Sequence, residues 1–454
     1  MRPNHTPPTH ANGGQPPTLE ELPLNTFHRL LTVRSGGGSF VDGYVLSIIG
    51  VGMVRLSAAL QLSSLWQGLI AASALIGIFC GGLIGGPLTD HFGRKRIFFV
   101  GPTLFIVFSL AQLWVNGPIF LFTCRSFIGI GVGIEYPVAT ALLVEFLPRR
   151  HRGPRLATLT IMWFAGAATA YIVGNMILGA GGAQGWRLAL ASSALIGLAL
   201  LLVRIGTPES PRWLLSKGRT QDANAVIRQV YGNAYSTADL PELPQTRKVS
   251  LLDLLRSGYG TRLVFVILFW TCSVIPVFAV YAFAPKVLLA LNLHGKWAAY
   301  GSIAITLMFV IGCVAATAFI NAMGRRPMLI QSFLWSSVAL LVLGVEANGP
   351  SLVILLAFGA YAFFIGGAQV LQLVYPNELF PTEIRAVAVG CGTSLSRVGA
   401  AIGTYLVPLS LDTLGIAYTM YAAAAVSAVG LASAIILAPE TGSLNLAEAA
   451  SLDT

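Results

Sequence analysis

Charge is what this chain has least of. Only 10% of its 454 residues are Asp, Glu, Lys or Arg, while 55% are hydrophobic, and the mean hydropathy is +0.74. A typical soluble domain carries about 25% charged residues, so a water-exposed globule is excluded. The five cysteines (Cys80, Cys124, Cys272, Cys313, Cys391) contain no CxxC pair and all fall in apolar runs, which excludes a disulfide framework or a thiolate metal site. The six histidines (His5, His10, His28, His91, His151, His294) lie outside those runs or at their ends. That removes a buried histidine relay and zincin- or haem-type sites, and no metal or cofactor is expected. No nucleophile–histidine pair or phosphate-binding loop appears, so an enzyme is not expected. The formal charge of +10 would suit nucleic acid only on a soluble basic face, and there is none.

What is present is a series of apolar runs, each about 20 residues long and enough to cross a bilayer. Twelve begin near Gly37, Leu65, Ile97, Ile119, Gly153, Trp186, Leu263, Trp297, Met328, Ser351, Ile384 and Gly415. The expected fold is an all-α polytopic membrane protein with twelve transmembrane helices in two six-helix bundles. The segments are a tail (1–36), a first bundle (37–205), a linker (206–262), a second bundle (263–438) and a closing tail (439–454). The first 35 residues lack a signal-peptide pattern. Lys and Arg collect after spans 2, 4, 6, 8 and 10, for example Arg94, Lys95, Arg96, Arg149, Arg150, Arg152 and Arg155, and are sparse on the other side. The positive-inside rule then places both termini and the linker in the cytoplasm.

The two halves repeat each other. "GPLTDHFGRKR" (Gly86–Arg96) follows span 2, and "INAMGRRP" (Ile320–Pro327) follows span 8. Spans 4 and 10 end in "EFLPRRHRG" (Glu145–Gly153) and "ELFPTEIRA" (Glu378–Ala386). Parallel six-span repeats are the architecture of alternating-access carriers.

These motifs, with "PESPRWLLSKGR" (Pro208–Arg219) and the closing "PET" (Pro439–Thr441), resemble the major facilitator superfamily from about Phe27 to Thr441. "PESPRWL" is shared by its sugar porters and its organic-ion branch. "FVDGY", "GIGVGIEYPVATALLVEF" and "SLSRVGA" look more like the second, which includes bacterial niacin permeases and aromatic-acid:proton symporters. The resemblance implies a proton-coupled symporter in a bacterial inner membrane, acting as a monomer.

Charges at the span ends have two readings. Asp90, Arg94, Glu145, Arg152, Glu209, Arg212, Arg325, Glu378 and Arg385 can pair across helix ends as a cytoplasmic gate, or they only set topology. Asn321 stands where the first half has Asp90, so the second latch is expected to be weaker.

Inside the spans, ionisable residues are costly and mark function by default. Asp42 and Glu135 are candidate proton carriers, with Arg125 in the same span as Glu135. Arg125 and Glu135 are ten residues and about 15 Å apart along a helix, so each needs a partner elsewhere. Asp42 is alternatively a rim acid pairing with Arg34. Sugar porters carry "GYD", but here the position after Tyr44 is Val45, which leaves Arg125 without the usual partner. Arg397 suits a carboxylate ligand, since guanidinium forks carboxylates bidentately; an ion pair with Glu135 is the alternative. In organic-anion carriers an Arg at the matching "SRVG" position is linked to anion recognition.

Tyr44, Trp163, Tyr281, Phe283, Tyr361 and Phe364, with the amides of Asn175, Gln369 and Gln372, complete the expected substrate site. By resemblance the substrate would be nicotinate or a similar small aromatic acid. A sugar or polyol symporter and a transport-inactive binding protein on the same fold are the competing readings.

Overall fold

The computed structural model describes residue 19 and residues 22–240, 258–291, 296–380 and 382–441. All the long elements are helices: α1 Thr26–Ala59, α2 Ser64–Phe92, α3 Arg94–Trp114, α4 Pro118–Phe146, α5 Arg149–Ala180, α6 Gly182–Arg204, α7 Gly260–Ala290, α8 Lys296–Met323, α9 Arg325–Val345, α10 Ser351–Leu379, α11 Thr382–Thr413 and α12 Ile416–Leu437. Among the described residues, eleven are long and apolar enough to cross a membrane; α11 is not in that set. Its length suffices, at 32 residues. Arg397 and the hydroxyl residues Thr393, Ser394 and Ser396 around it lower its hydropathy, which is why the eleventh expected span is the weakest by composition.

α1 starts eleven residues before the apolar run does. Asn25 caps it by accepting from the His28 backbone at 3.0 Å, and His28 Nδ1 accepts from the Asn25 backbone at 3.2 Å. Phe27 packs edge-on against Phe146. Residues 26–36, expected to belong to the tail, thus form the first turns of α1. In the linker, the short helices Pro211–Ser216 and Thr220–Tyr231 pack against each other, and Tyr231 donates to the Phe146 carbonyl at 2.7 Å.

Helix pairing follows the small residues. In the first half α2 packs on α4 and α1 on α5; in the second, α7 pairs with α11 and α10 packs on α8 and α9. A Cβ on Gly77 or Gly81 would fall on the α4 backbone, and one on Gly129 or Gly133 would fall on the α2 backbone. Gly43 meets the Trp163 carbonyl, and Gly166 meets the Phe40 carbonyl. Without a hydrophobic effect between helices in lipid, such backbone contact is what holds them together. The halves meet through α2 on α11, α1 on α7 and α5 on α8. The helix ends near residues 92, 147, 204, 324, 380 and 438 form one face, here the linker face. The opposite ends form the far face.

α7 contains Pro276 and Pro285. A proline has no N–H for the carbonyl four residues earlier. The carbonyl released by Pro285 is that of Tyr281, and the Tyr171 hydroxyl of α5 donates to it at 2.9 Å.

Candidate functional site

Midway along the bundle, between the halves, lies a cavity of about 40 Å³. It is lined by Tyr136, Thr160, Trp163, Phe164, Trp270, Val274, Val277, Phe278, Gln369, Gln372 and Arg397. Of the expected substrate residues, Arg397, Trp163, Gln369 and Gln372 come together here. Arg397 is the one charged group in the lining. Its guanidinium lies 5.3 Å from the Phe278 ring, and its buried Nε has no hydrogen-bond partner. The buried indole N–H of Trp270 has none either. Gln369 Nε2 donates to the Ser273 carbonyl at 3.0 Å. Gln372 Nε2 reaches Ser273 Oγ at 2.7 Å and Gln369 Oε1 at 2.9 Å. The amides are therefore anchored to α7 and to each other. Two unspent donors, one of them cationic, favour a ligand rich in acceptors. A cavity of this size holds about one water molecule, whereas small-molecule sites run to roughly 300–1,000 Å³. The halves must part for a metabolite to fit.

Other expected substrate residues point elsewhere. The Tyr44 hydroxyl bonds Ser192 Oγ of α6 at 2.7 Å, within the first half. Asn175 donates to the Tyr171 carbonyl of its own helix at 2.7 Å. Phe283 is fully buried, Tyr361 packs edge-on against Phe309, and Phe364 lies against Trp335 of α9. Tyr281 packs against the rim residue Trp163, their ring centres 5.5 Å apart. Residues not singled out from sequence, Tyr136, Thr160, Trp270 and Phe278, take these places. Helical spacing signals a span but not which way each aromatic faces.

The carboxylates in the first half form a second cluster. Glu135 does not pair with Arg397. Both of its oxygens are held by Arg204 at the end of α6, with Nη1 to Oε2 at 2.9 Å and Nη2 to Oε1. Arg204 also donates to the Phe98 and Arg34 carbonyls and stacks 3.5 Å over the Phe98 ring. Sequence reasoning missed Arg204 because an Arg closing a span reads as a topology marker. The clue was glycine: a Cβ on Gly38 would strike Glu135 and Arg204, and one on Gly101 would come 2.8 Å from Glu135. Losing one partner of a buried pair like this costs about 3–5 kcal/mol.

Asp42 is one helical turn from Gly38 and 1% exposed, and neither carboxylate oxygen has a hydrogen-bond partner. The rim-acid alternative does not hold, because Arg34 spends its donors on the Val203 and Ile205 carbonyls at 2.9 and 2.7 Å. Arg125 is also buried. It donates to the carbonyl of Val45 at 2.8 Å, and among the described residues no carboxylate pairs with it.

At the linker face the charges pair within each half. Arg94 meets Asp90 at 3.0 Å and Glu145 at 3.2 Å, and Glu209 accepts from the Arg94 and Lys95 backbones. Arg325 meets Glu378 at 2.9 Å and Asn321 at 3.2 Å, and Glu440 accepts from the Arg325 and Arg326 backbones. The second-half arrangement thus keeps Asn321 as a neutral partner. Glu440, the acid of the closing "PET", completes it and was not among the expected residues. Arg212 lies in the first turn of the helix Pro211–Ser216. The side chains of Arg152 and Arg385 lie outside the described residues.

At the far face, Ser64 bonds Asp412, and Lys286 reaches Gln67 at 3.1 Å and Asp412 at 3.3 Å. A Cβ on Gly68 would meet the Tyr405 carbonyl, and one on Gly50 the Tyr281 carbonyl. Ser64–Asp412, Lys286–Gln67 and Tyr171–Tyr281 are hydrogen bonds between the halves, and all three lie on the far-face side of the cavity. The site is closed on that side.

Comparison with known proteins agrees with this architecture. A family model described as sugar (and other) transporter matches residues 27–452. The chain is 39% identical to the putative metabolite transport protein YaaU of Escherichia coli, over 96% of this chain and 97% of that one. It is 36% identical to the inner membrane metabolite transport protein YgcS of the same species, over 96% of each. Among solved structures, the proton:xylose symporter XylE superposes with a TM-score of 0.77 at 22% identity, over 92% of this chain and 97% of that one. That likeness is one of fold.

Proposed function

This chain belongs to the sugar (and other) transporter family, whose members are carriers rather than enzymes, and we propose that it is a proton-coupled carrier of a small organic acid. The observation that carries this reading is Arg397, a cation in the central cavity with a buried Nε donor unspent and, among the described residues, no carboxylate in the lining beside it. A substrate carboxylate would supply the missing acceptor. Trp163, Trp270 and Phe278 would flank its carbon skeleton. Gln369 and Gln372 would meet its hydroxyl or ring heteroatoms. The linker face, rich in Lys and Arg, is read as cytoplasmic by the positive-inside rule, so the structure corresponds to a carrier closed to the outside. Asp42 and Glu135 are the acids available to move a proton with the substrate.

A narrower version, nicotinate or another aromatic acid, rests on the ring-lined cavity, and none of the relatives named above carries an aromatic acid in its name. The sugar or polyol reading is favoured by the family description and by the xylose symporter of the same fold. Thermal melting of the purified protein against paired ligands separates them. A sugar acid or aromatic acid should raise the melting temperature, its amide or parent sugar should not, and Arg397→Ala should abolish the shift. Losing a charged hydrogen bond of about 1.5–3 kcal/mol corresponds to a roughly 10- to 100-fold loss of affinity. Stabilisation by neutral sugars alone, kept in Arg397→Ala, would overturn the carboxylate reading.

A further inference from the structure

Arg125 is a buried cation that its neighbours do not neutralise. It lies on α4, is 1% exposed, and donates through Nη1 to the Val45 carbonyl of α1 at 2.8 Å. Its Nε has no hydrogen-bond partner, and among the described residues no carboxylate pairs with it. A charge held out of water in this way is strongly unfavourable unless an opposite charge meets it.

The packing around Arg125 leaves a place for that charge. A cavity of about 10 Å³ lies beside it, on the far-face side of the central one. Its lining is apolar apart from Arg125 of the first half and Tyr281 and Thr404 of the second. Tyr281 is 2% exposed and Thr404 1%, and neither hydroxyl has a hydrogen-bond partner. Three polar groups, one of them charged, thus converge from both halves on one small space. Each can donate a hydrogen bond. A water molecule could engage them, with the hydroxyls turned as acceptors, but it would leave the guanidinium charge as it was. Size narrows the choice further. The space is about that of one water molecule, so it takes a monatomic guest and has no room for a carboxylate or a phosphate.

From this convergence we infer that Arg125, Tyr281 and Thr404 form a binding site for a single halide ion, separate from the substrate cavity at Arg397. The guanidinium supplies the opposite charge and its Nε–H one donor, and the two hydroxyls supply the others. The donors come from α4 in one half and from α7 and α11 in the other, so the ion ties the halves together on the closed side. Phe278 borders both cavities, which makes the two sites neighbours. The halide site does not depend on what the carrier moves, and it stands if the organic-acid reading fails.

Thermal melting of the purified full-length protein tests it, with chloride replacing gluconate stepwise at constant ionic strength and no substrate present. Wild type should gain stability along a saturating curve. Bromide should act alike, and sulfate, too large for the space, should not. Thr404→Val and Tyr281→Phe each keep the shape and remove one donor, and each should weaken the apparent chloride affinity about 3- to 10-fold. Arg125→Gln should abolish the response, and Arg397→Ala should keep it. Should Arg125→Gln fail to fold, the two hydroxyl variants decide. A response unchanged in both of them is a general salt effect and overturns the site. A response lost in Arg397→Ala but kept in Thr404→Val puts the anion in the substrate cavity and overturns it too, as does a melting temperature indifferent to chloride.

Discussion

Glu209 and Glu440 are equivalent residues in the two halves. Glu209 accepts from the Arg94 backbone N–H at 2.8 Å, and Glu440 accepts from the Arg325 backbone N–H at 3.0 Å. Each closes the start of the helix that follows a glycine with positive φ, Gly93 at 98° and Gly324 at 87°. Glycine is needed there, because other residues adopt that conformation only with strain. Each carboxylate also meets the positive end of a helix dipole.

The equivalence predicts equal loss. Glu209→Ala and Glu440→Ala should each lower stability by about 1–2 kcal/mol, the usual worth of an N-terminal cap assisted by charge. Thermal melting in detergent measures it. A neutral Glu440→Ala beside a damaging Glu209→Ala would show that the second copy is only decorative.

The far face yields a prediction about movement. Ser64 and Asp412 lie within hydrogen-bond reach across α2 and α11. Joining them in S64C/D412C with a short bifunctional maleimide should stop substrate exchange completely. Accessibility of the central cavity from the linker side should stay as it was. Continued exchange by the cross-linked protein would mean that this seam does not open.

Gly38 offers a test of packing. A methyl group there would fall on the Glu135–Arg204 pair, so Gly38→Ala should destabilise by about 1–3 kcal/mol, as overpacking does. Gly82→Ala, with nothing within 4 Å of its Cβ, is the control and should be nearly silent. Equal melting temperatures for the two variants would contradict the clamped pair.

Much of this architecture was legible in the chain. The apolar runs gave the helices, and the repeated glycine–basic turns gave the equivalence of the halves. Arg397, Gln369, Gln372 and Trp163 were legible because a polar or bulky group in a span must face protein rather than lipid. The orientation of Tyr44, Phe283, Tyr361 and Phe364 was not, since aromatics are stable towards lipid, core and cavity alike. Arg204 was hidden for a different reason. A cation at a helix end can snorkel to water or turn inward, and only the acid on another helix decides. α11 shows the converse: Arg397, which borders the central cavity, weakens the signature of its helix as a span.

Pro285 has a consequence for how the far face opens. The proline leaves the Tyr281 carbonyl without a helical donor, and Tyr171 of the opposite half fills the place. Parting the halves strips that oxygen of its donor at a point where both tyrosines are buried. A carbonyl left dry costs about 1–3 kcal/mol, and an incoming water molecule cancels the cost. Opening and hydration of the seam are therefore one event, and a dehydrating additive outside the membrane should hold the door shut without touching a single charge.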